Sequence, residues 1–71
     1  MTVGEKIGGY LEANGIKQTF LASKTGLSDA CVSAIINKGR TISVTEYYRI
    51  CVALNVPFDT FLDGVEEAVQ S

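Results

Sequence analysis

The run QTFLASKTGLSDACVSAIIN, Gln18 to Asn37, decides how this chain folds. It reads as two helices joined by a glycine turn. In the first helix, Gln18 to about Thr25, Leu21 and Ala22 turn inward, and Gly26 stops it because glycine accepts the left-handed conformation that closes a helix. Ser28 caps the second, which continues through Val32, Ile35 and Ile36 to Asn37 and ends before Gly39. Ala22 must be small where the two helices cross, and Leu27, Val32 and Ile35 clamp the pair onto the rest of the chain. These residues specify packing and say nothing of activity. Asp29, directly after the cap, is the first helical residue, where its charge complements the positive end of the helix dipole by about 0.3–1 kcal/mol.

Outward from that unit the chain reads as helix throughout, since no useful length alternates with a period of two. Thr2 followed by Glu5 is a capping box that starts a first helix, with Val3, Ile7 and Leu11 on its apolar stripe and Asn14-Gly15 at its end. Gly8 and Gly9 weaken it by about 1 kcal/mol each relative to alanine, so either another backbone approaches there or the helix is soft. Ser43 and Glu46 form a second capping box, flanked by Ile42 and Tyr47 at the positions of a hydrophobic staple. Tyr47, Ile50, Cys51 and Leu54 then fall at i, i+3, i+4 and i+7, one buried face. Pro57 suits the first turn of a short fifth helix, lined by Phe58, Phe61 and Leu62. The expected fold is all-α, a compact five-helix bundle over residues 1–64. Residues 65–71 form a short tail that either extends the last helix or frays.

Seventy-one residues make one small domain, nearly half hydrophobic (46%) and 20% charged. With a mean hydropathy of +0.21 this is a globular chain, not a disordered one. Cys31 and Cys51 have no CxxC spacing and no histidine to join them, so reduced thiols are expected and neither a disulfide framework nor a zinc site is. No apolar run has signal-peptide form or approaches a membrane span, and the expected location is cytoplasmic. The net charge of −2 argues against a general polyanion binder, but it conceals a pattern. Residues 15–40 carry Lys17, Lys24, Lys38 and Arg40 against Asp29 alone, a net +3, while the remainder carries two bases against seven acids, a net −5. A basic face on an acidic body fits that asymmetry.

A helix pair with so short a turn presents its second member as a ridge that fits the major groove of DNA. Gln18, Leu21-Ala22, Thr25-Gly26, Ser28, Val32-Ser33, Ile35 and Gly39, followed by YYRICVALNVPFDTFL over Tyr47–Leu62, resemble the phage-repressor-like helix-turn-helix family of XRE or Cro type. The resemblance spans about residues 3–63. It implies a five-helix, lambda-repressor-like bundle that binds double-stranded DNA through its second and third helices. It also implies that Gln18 hydrogen-bonds a phosphate. Lys17, Lys38 and Arg40 lie just outside helix ends that should touch the DNA backbone, and their common location favours phosphate contact over plain solvation. Asn37 either ends its helix or contacts a phosphate.

The third helix, with Ser28 at its head, would expose Asp29, Ala30, Ser33 and Ala34 to bases. A carboxylate there can accept from a cytosine amino group, and small side chains can meet a thymine methyl or take one hydrogen bond. The family more often has glutamine, asparagine or arginine at some of these places. Bidentate readout is therefore absent, and phosphate contacts and DNA shape carry more of the recognition.

Family members commonly bind palindromes as two-fold dimers, with half-sites about 34 Å apart. A homodimer is expected, with Phe58, Phe61, Val65 and Val69 as candidate surface; at least one of the two phenylalanines fills the core instead. Phe20 is apolar where the motif is often polar, and Tyr48 should lie outside. The leading functional expectation is a sequence-specific transcriptional regulator, a repressor of phage or mobile-element type, acting by occupancy without a small-molecule effector. The rival is a protein-interaction module, such as an antitoxin or a helix-turn-helix domain that has left DNA. An enzyme is not expected, because no histidine, phosphate loop or activating base accompanies Ser33 or Cys31. No cofactor or metal is expected either.

Overall fold

Every helix of this protein begins where the first free backbone N–H groups need an acceptor. The computed structural model describes residues 2–62, and these form α1 (Val3–Ala13), α2 (Gln18–Thr25), α3 (Asp29–Asn37) and α4 (Val44–Leu54). At α1 the Thr2 hydroxyl accepts from the Glu5 N–H at 3.1 Å, and the Glu5 carboxylate accepts from the Thr2 N–H at 2.8 Å. The same reciprocal box opens α4, between Ser43 and Glu46 at 3.1 and 3.0 Å. Ser28 caps α3 by accepting from the Cys31 N–H at 3.0 Å, while Lys17 heads α2 with no side-chain cap. The staple before α4 is in place, with both Ile42 and Tyr47 buried.

The turn between α2 and α3 rests on Gly26 and on a residue the sequence pattern did not single out. Gly26 adopts φ 78° and donates its N–H to the Ala22 carbonyl at 3.0 Å. Thr25, buried beside it, donates its hydroxyl to the Leu21 carbonyl at 2.9 Å and accepts from the Leu27 N–H at 3.3 Å. A buried hydroxyl thus satisfies backbone groups that a turn this short leaves over.

α1 and α2 pack against α3, and α4 packs against α2. Val3, Ile7 and Leu11 of α1, Leu21 and Ala22 of α2, Val32 and Ile35 of α3, and Tyr47, Ile50 and Cys51 of α4 all face one core. The glycines of α1 sort by what they meet. A Cβ on Gly4 would lie 1.9 Å from the Ile35 carbonyl oxygen, and one on Gly8 would lie 2.7 Å from the Ile36 Cγ2. A Cβ on Gly9 would meet nothing within 4 Å. Backbone approach therefore explains Gly4 first, side-chain packing explains Gly8, and Gly9 is the soft point.

The expected fifth helix is not among the four. Residues 57–62 form successive turns, with Thr60 N–H donating to the Pro57 carbonyl at 3.1 Å and Leu62 N–H to the Asp59 carbonyl at 3.2 Å. The physical reason is Tyr47. Its hydroxyl donates to the Phe58 carbonyl, which an α-helix would offer to Leu62, and accepts at 3.3 Å from the Phe61 N–H, which an α-helix would direct to Pro57. Phe58 and Phe61 close edge-on around the same ring, at centroid distances of 4.7 and 6.4 Å. Phe61 is a core residue at 3% exposure, so it leaves the candidate dimer surface; Phe58 remains on it at 45%. Val65, Val69, the boundary at residue 64 and the tail lie outside the described residues.

Two predictions follow from these contacts. Gly4→Ala should lower stability by about 1–3 kcal/mol through overpacking, while Gly9→Ala should raise it by about 0.5–1 kcal/mol. Thermal melting reads both, at about 4–8 °C per kcal/mol for a domain of this size. A neutral Gly4→Ala would remove the close helix approach from this account. Burial pushes the Tyr47 hydroxyl up to about 12 from an ordinary 10.0. A raised pKa stabilises fully below the unfolded value, so this contribution holds to about pH 10 and is lost as pH rises to about 12. Tyr47→Phe should cost about 1–3 kcal/mol at pH 7 by stranding the Phe58 carbonyl and the Phe61 N–H. Urea unfolding across this alkaline interval should show the gap between wild type and Y47F narrowing as pH rises.

Candidate nucleic-acid interface

With Val32 and Ile35 sealed in the core, α3 turns its other side to solvent. Asp29, Ala30 and Asn37 are exposed there and Ser33 and Ala34 are half-buried, so the helix displays the face read from its sequence. Asn37 donates its side-chain amide to the Ser33 hydroxyl at 3.3 Å, one turn apart. That bond ties two groups with base-reading or phosphate-reading capacity into one polar ridge. Asp29 occupies the first helical position beside the Ser28 cap, where the helix dipole favours it.

Around this ridge the other predicted residues take definite places. Lys17 is exposed at the N-cap of α2 and Gln18 begins that helix. Gln18 and Asn37 line one open hollow of about 430 Å³, together with Gly8 and Gly9 of α1 and Ile36 of α3. The N-terminus of α2 and the C-terminus of α3 thus converge. Glu5 and Glu12 line the same hollow, and Glu5 is already engaged by Thr2. Lys38 is exposed at the C-cap of α3. Lys24, the fourth base of the positive segment, stands with its Nζ 5.7 Å from the centre of the Phe20 ring, which is 47% exposed. Tyr48 is exposed too, as expected, and with Val44 and Val52 it leaves apolar surface on the outer side of α4.

Arg40 is placed differently from the lysines. Its Nη1 donates to Glu46 Oε1 at 3.0 Å and its Nη2 to Glu46 Oε2 at 3.2 Å, a two-pronged pair. The Arg40 hydrogen bond holds the Glu46 carboxyl below its ordinary range, and Glu46 in turn raises the guanidinium. Glu46 was legible in sequence only as a cap. Its second role follows from geometry: the carboxylate that caps α4 also faces back across the loop from α3, with the Cys31 thiol 3.8 Å from Oε2. The spacing of an arginine six residues ahead of an N3 glutamate was the available signal. Cys31 and Cys51 are both free thiols.

Among the described residues no helix is long and apolar enough to cross a membrane. No curated protein matches the chain. The solved structure of the restriction-modification controller protein C.AhdI from Aeromonas hydrophila shares the fold, with a TM-score of 0.77 at 22% identity over 83% of this chain and 89% of that one. The helix-turn-helix family model matches residues 9–61, well over half of the sequence and all of the α2–α3 unit. The chain therefore belongs to the XRE-type helix-turn-helix family of DNA-binding transcription regulators.

Proposed function

We propose that this protein is a transcriptional repressor that binds a palindromic operator as a homodimer and seats α3 of each protomer in the major groove. The observation that carries the reading is the division of α3 itself. Val32 and Ile35 on its apolar side are buried in the core, and its other side holds polar and small residues, exposed or half-buried, with no helix among the described residues packed over Asp29 and Ala30. Lys17, Gln18, Asn37, Lys38 and Arg40 flank that side at the helix ends, the places where phosphate contacts set register. Ser28, Asp29, Ala30 and Ser33 lie at the end of α3 that would enter the groove first. The likeness to a controller protein supports regulation over catalysis.

Readout on this scheme is frugal. Asp29 accepts from a cytosine amino group, Ser33 makes one hydrogen bond, and Ala30 packs on a thymine methyl. A misplaced phosphate meets the Asp29 charge, so the acid narrows the set of tolerated registers while lowering affinity. The apolar side chains of Tyr48 at 59%, Val52 at 60% and Phe58 at 45% exposure supply surface for the second copy.

The test is selection from a random pool of duplex DNA at two salt concentrations. A palindrome with half-sites about 34 Å apart should be enriched. Three basic contacts per protomer, from Lys17, Lys38 and Arg40, predict a slope of log affinity against log salt of about −5 for a dimer and about −3 for a monomer. Lys38→Ala should reduce the dimer slope by about 2, one contact in each protomer, and weaken all sequences alike. Failure to enrich any sequence at low salt would sink the proposal and favour a protein partner.

A further inference from the structure

The guanidinium of Arg40 carries five N–H donors in a fixed plane. Three are used within the protein. Both Nη1 hydrogens are committed, one to Glu46 Oε1 at 3.0 Å and one to the Thr41 carbonyl at 3.2 Å, and one Nη2 hydrogen goes to Glu46 Oε2 at 3.2 Å. The two that remain, on Nε and Nη2, share one edge of the plane and form a second fork. The side chain is 44% exposed, whereas Glu46 is 18% exposed and anchored by the cap it provides to Ser43. Glu46 therefore sits on rigid structure and Arg40 on the solvent side of it. The Cys31 thiol against Glu46 Oε2 and the Arg40 N–H donating to the Ala34 carbonyl at 3.1 Å place the pair alongside α3 itself.

From this geometry we infer that Arg40 and Glu46 form a preset phosphate clamp: Glu46 holds the end-on fork of Arg40 so that its free side-on fork takes one DNA phosphate beside α3. The inference rests on the DNA-binding reading above and deepens it by adding Glu46, which touches no DNA, as a positioning residue. An arginine already fixed by three hydrogen bonds loses less rotamer freedom when it meets its ligand. The pair is neutral as a whole, so beyond the local positive edge of the guanidinium the contact contributes direction more than net charge. Lysine, a point charge with no fork, cannot replace it.

Binding of the duplex enriched from the random pool, measured across a salt series, tests this with three single variants and one double variant. Arg40→Ala should reduce the salt slope by about 0.9 per protomer, which reports loss of a phosphate contact. Arg40→Lys should keep the slope and weaken binding about three- to tenfold, the scale of ordering one long side chain. Glu46→Gln should weaken binding by a similar factor, and the double variant Arg40→Lys with Glu46→Gln should be no weaker than either of its single variants. Glutamine keeps the acceptor that caps α4 but removes the second prong and the negative charge. A purely neutralising glutamate therefore predicts tighter binding by E46Q with a steeper slope, and that result overturns the clamp. So does an unchanged slope in R40A. Thermal melting verifies folding, and if E46Q does not fold, the two Arg40 variants decide, because both leave the Ser43–Glu46 cap intact and wild-type affinity in R40K also overturns the clamp. Wild-type protein that binds no duplex at low salt overturns the DNA-binding reading and the clamp together; bound wild type with any of these negative results overturns the clamp only.

Discussion

The close passage of α1 over the end of α3, where Gly4 has no side chain between it and the Ile35 carbonyl, is the constraint on which the rest depends. α3 is only nine residues long and offers the core little more than Val32 and Ile35. Two buried apolar side chains contribute about 3–6 kcal/mol, too little to fix a short helix without backbone-level contact. Gly4 supplies that contact at one end of α3, and the Gly26 turn with Thr25 supplies it at the other. Held at both ends, α3 can leave its outer face bare. A functional face on a helix requires such a device, because any residue recruited there for packing would be lost to recognition.

Much of this architecture was legible in the sequence because it is written in local chemistry. Capping boxes, the Ser28 cap and the Gly26 turn act over three or four residues, and each stands where the pattern placed it. The fifth helix failed for a nonlocal reason. Pro57, Phe58, Phe61 and Leu62 have helical spacing, but the Tyr47 hydroxyl comes from ten or more residues away and takes the backbone groups that spacing would have paired. Propensity lost to tertiary hydrogen bonding, as it does wherever a buried polar tip must be satisfied. The glycines show the same division. The sequence left either a backbone approach or a soft helix open at Gly8 and Gly9; the backbone approach lies one turn earlier, at Gly4, since the register of two helices crossing in space is not encoded by either alone.

For the candidate interface, the resemblance gave an outward side of α3 on which Asp29 and Ala30 are exposed and Ser33 and Ala34 half-buried, whereas the state of Arg40 could not be read from the sequence. Formal charge counted Arg40 with Lys17, Lys24 and Lys38. In the fold it is paired with Glu46, and Lys24 stands against Phe20, so Lys17 and Lys38 are the bases of that segment with no bond to another side chain among the described residues. A sequence count gives the sign of a segment but not how much of the charge is committed internally. Here the difference changes the expected character of the interface from a diffuse positive field to a few directed contacts.

That shift bears on how an acidic protein can read DNA at all. A reader with a strong field binds any duplex and must then discriminate through base contacts worth about 1–3 kcal/mol each. On the proposed binding mode such contacts are few, since Ala30 and Ala34 have side chains too short for bidentate bonding. A weak overall field lowers nonspecific binding by the same electrostatic term that it takes from specific binding. Contacts with fixed direction are then favoured, because only a correctly registered backbone satisfies them. Asp29 fits that logic: it stands in the first turn of α3, where the helix dipole favours it, and on the proposed binding mode its charge would repel phosphates out of register. An acid at the head of α3 is compatible with the proposed recognition when discrimination comes chiefly from suppressing wrong complexes.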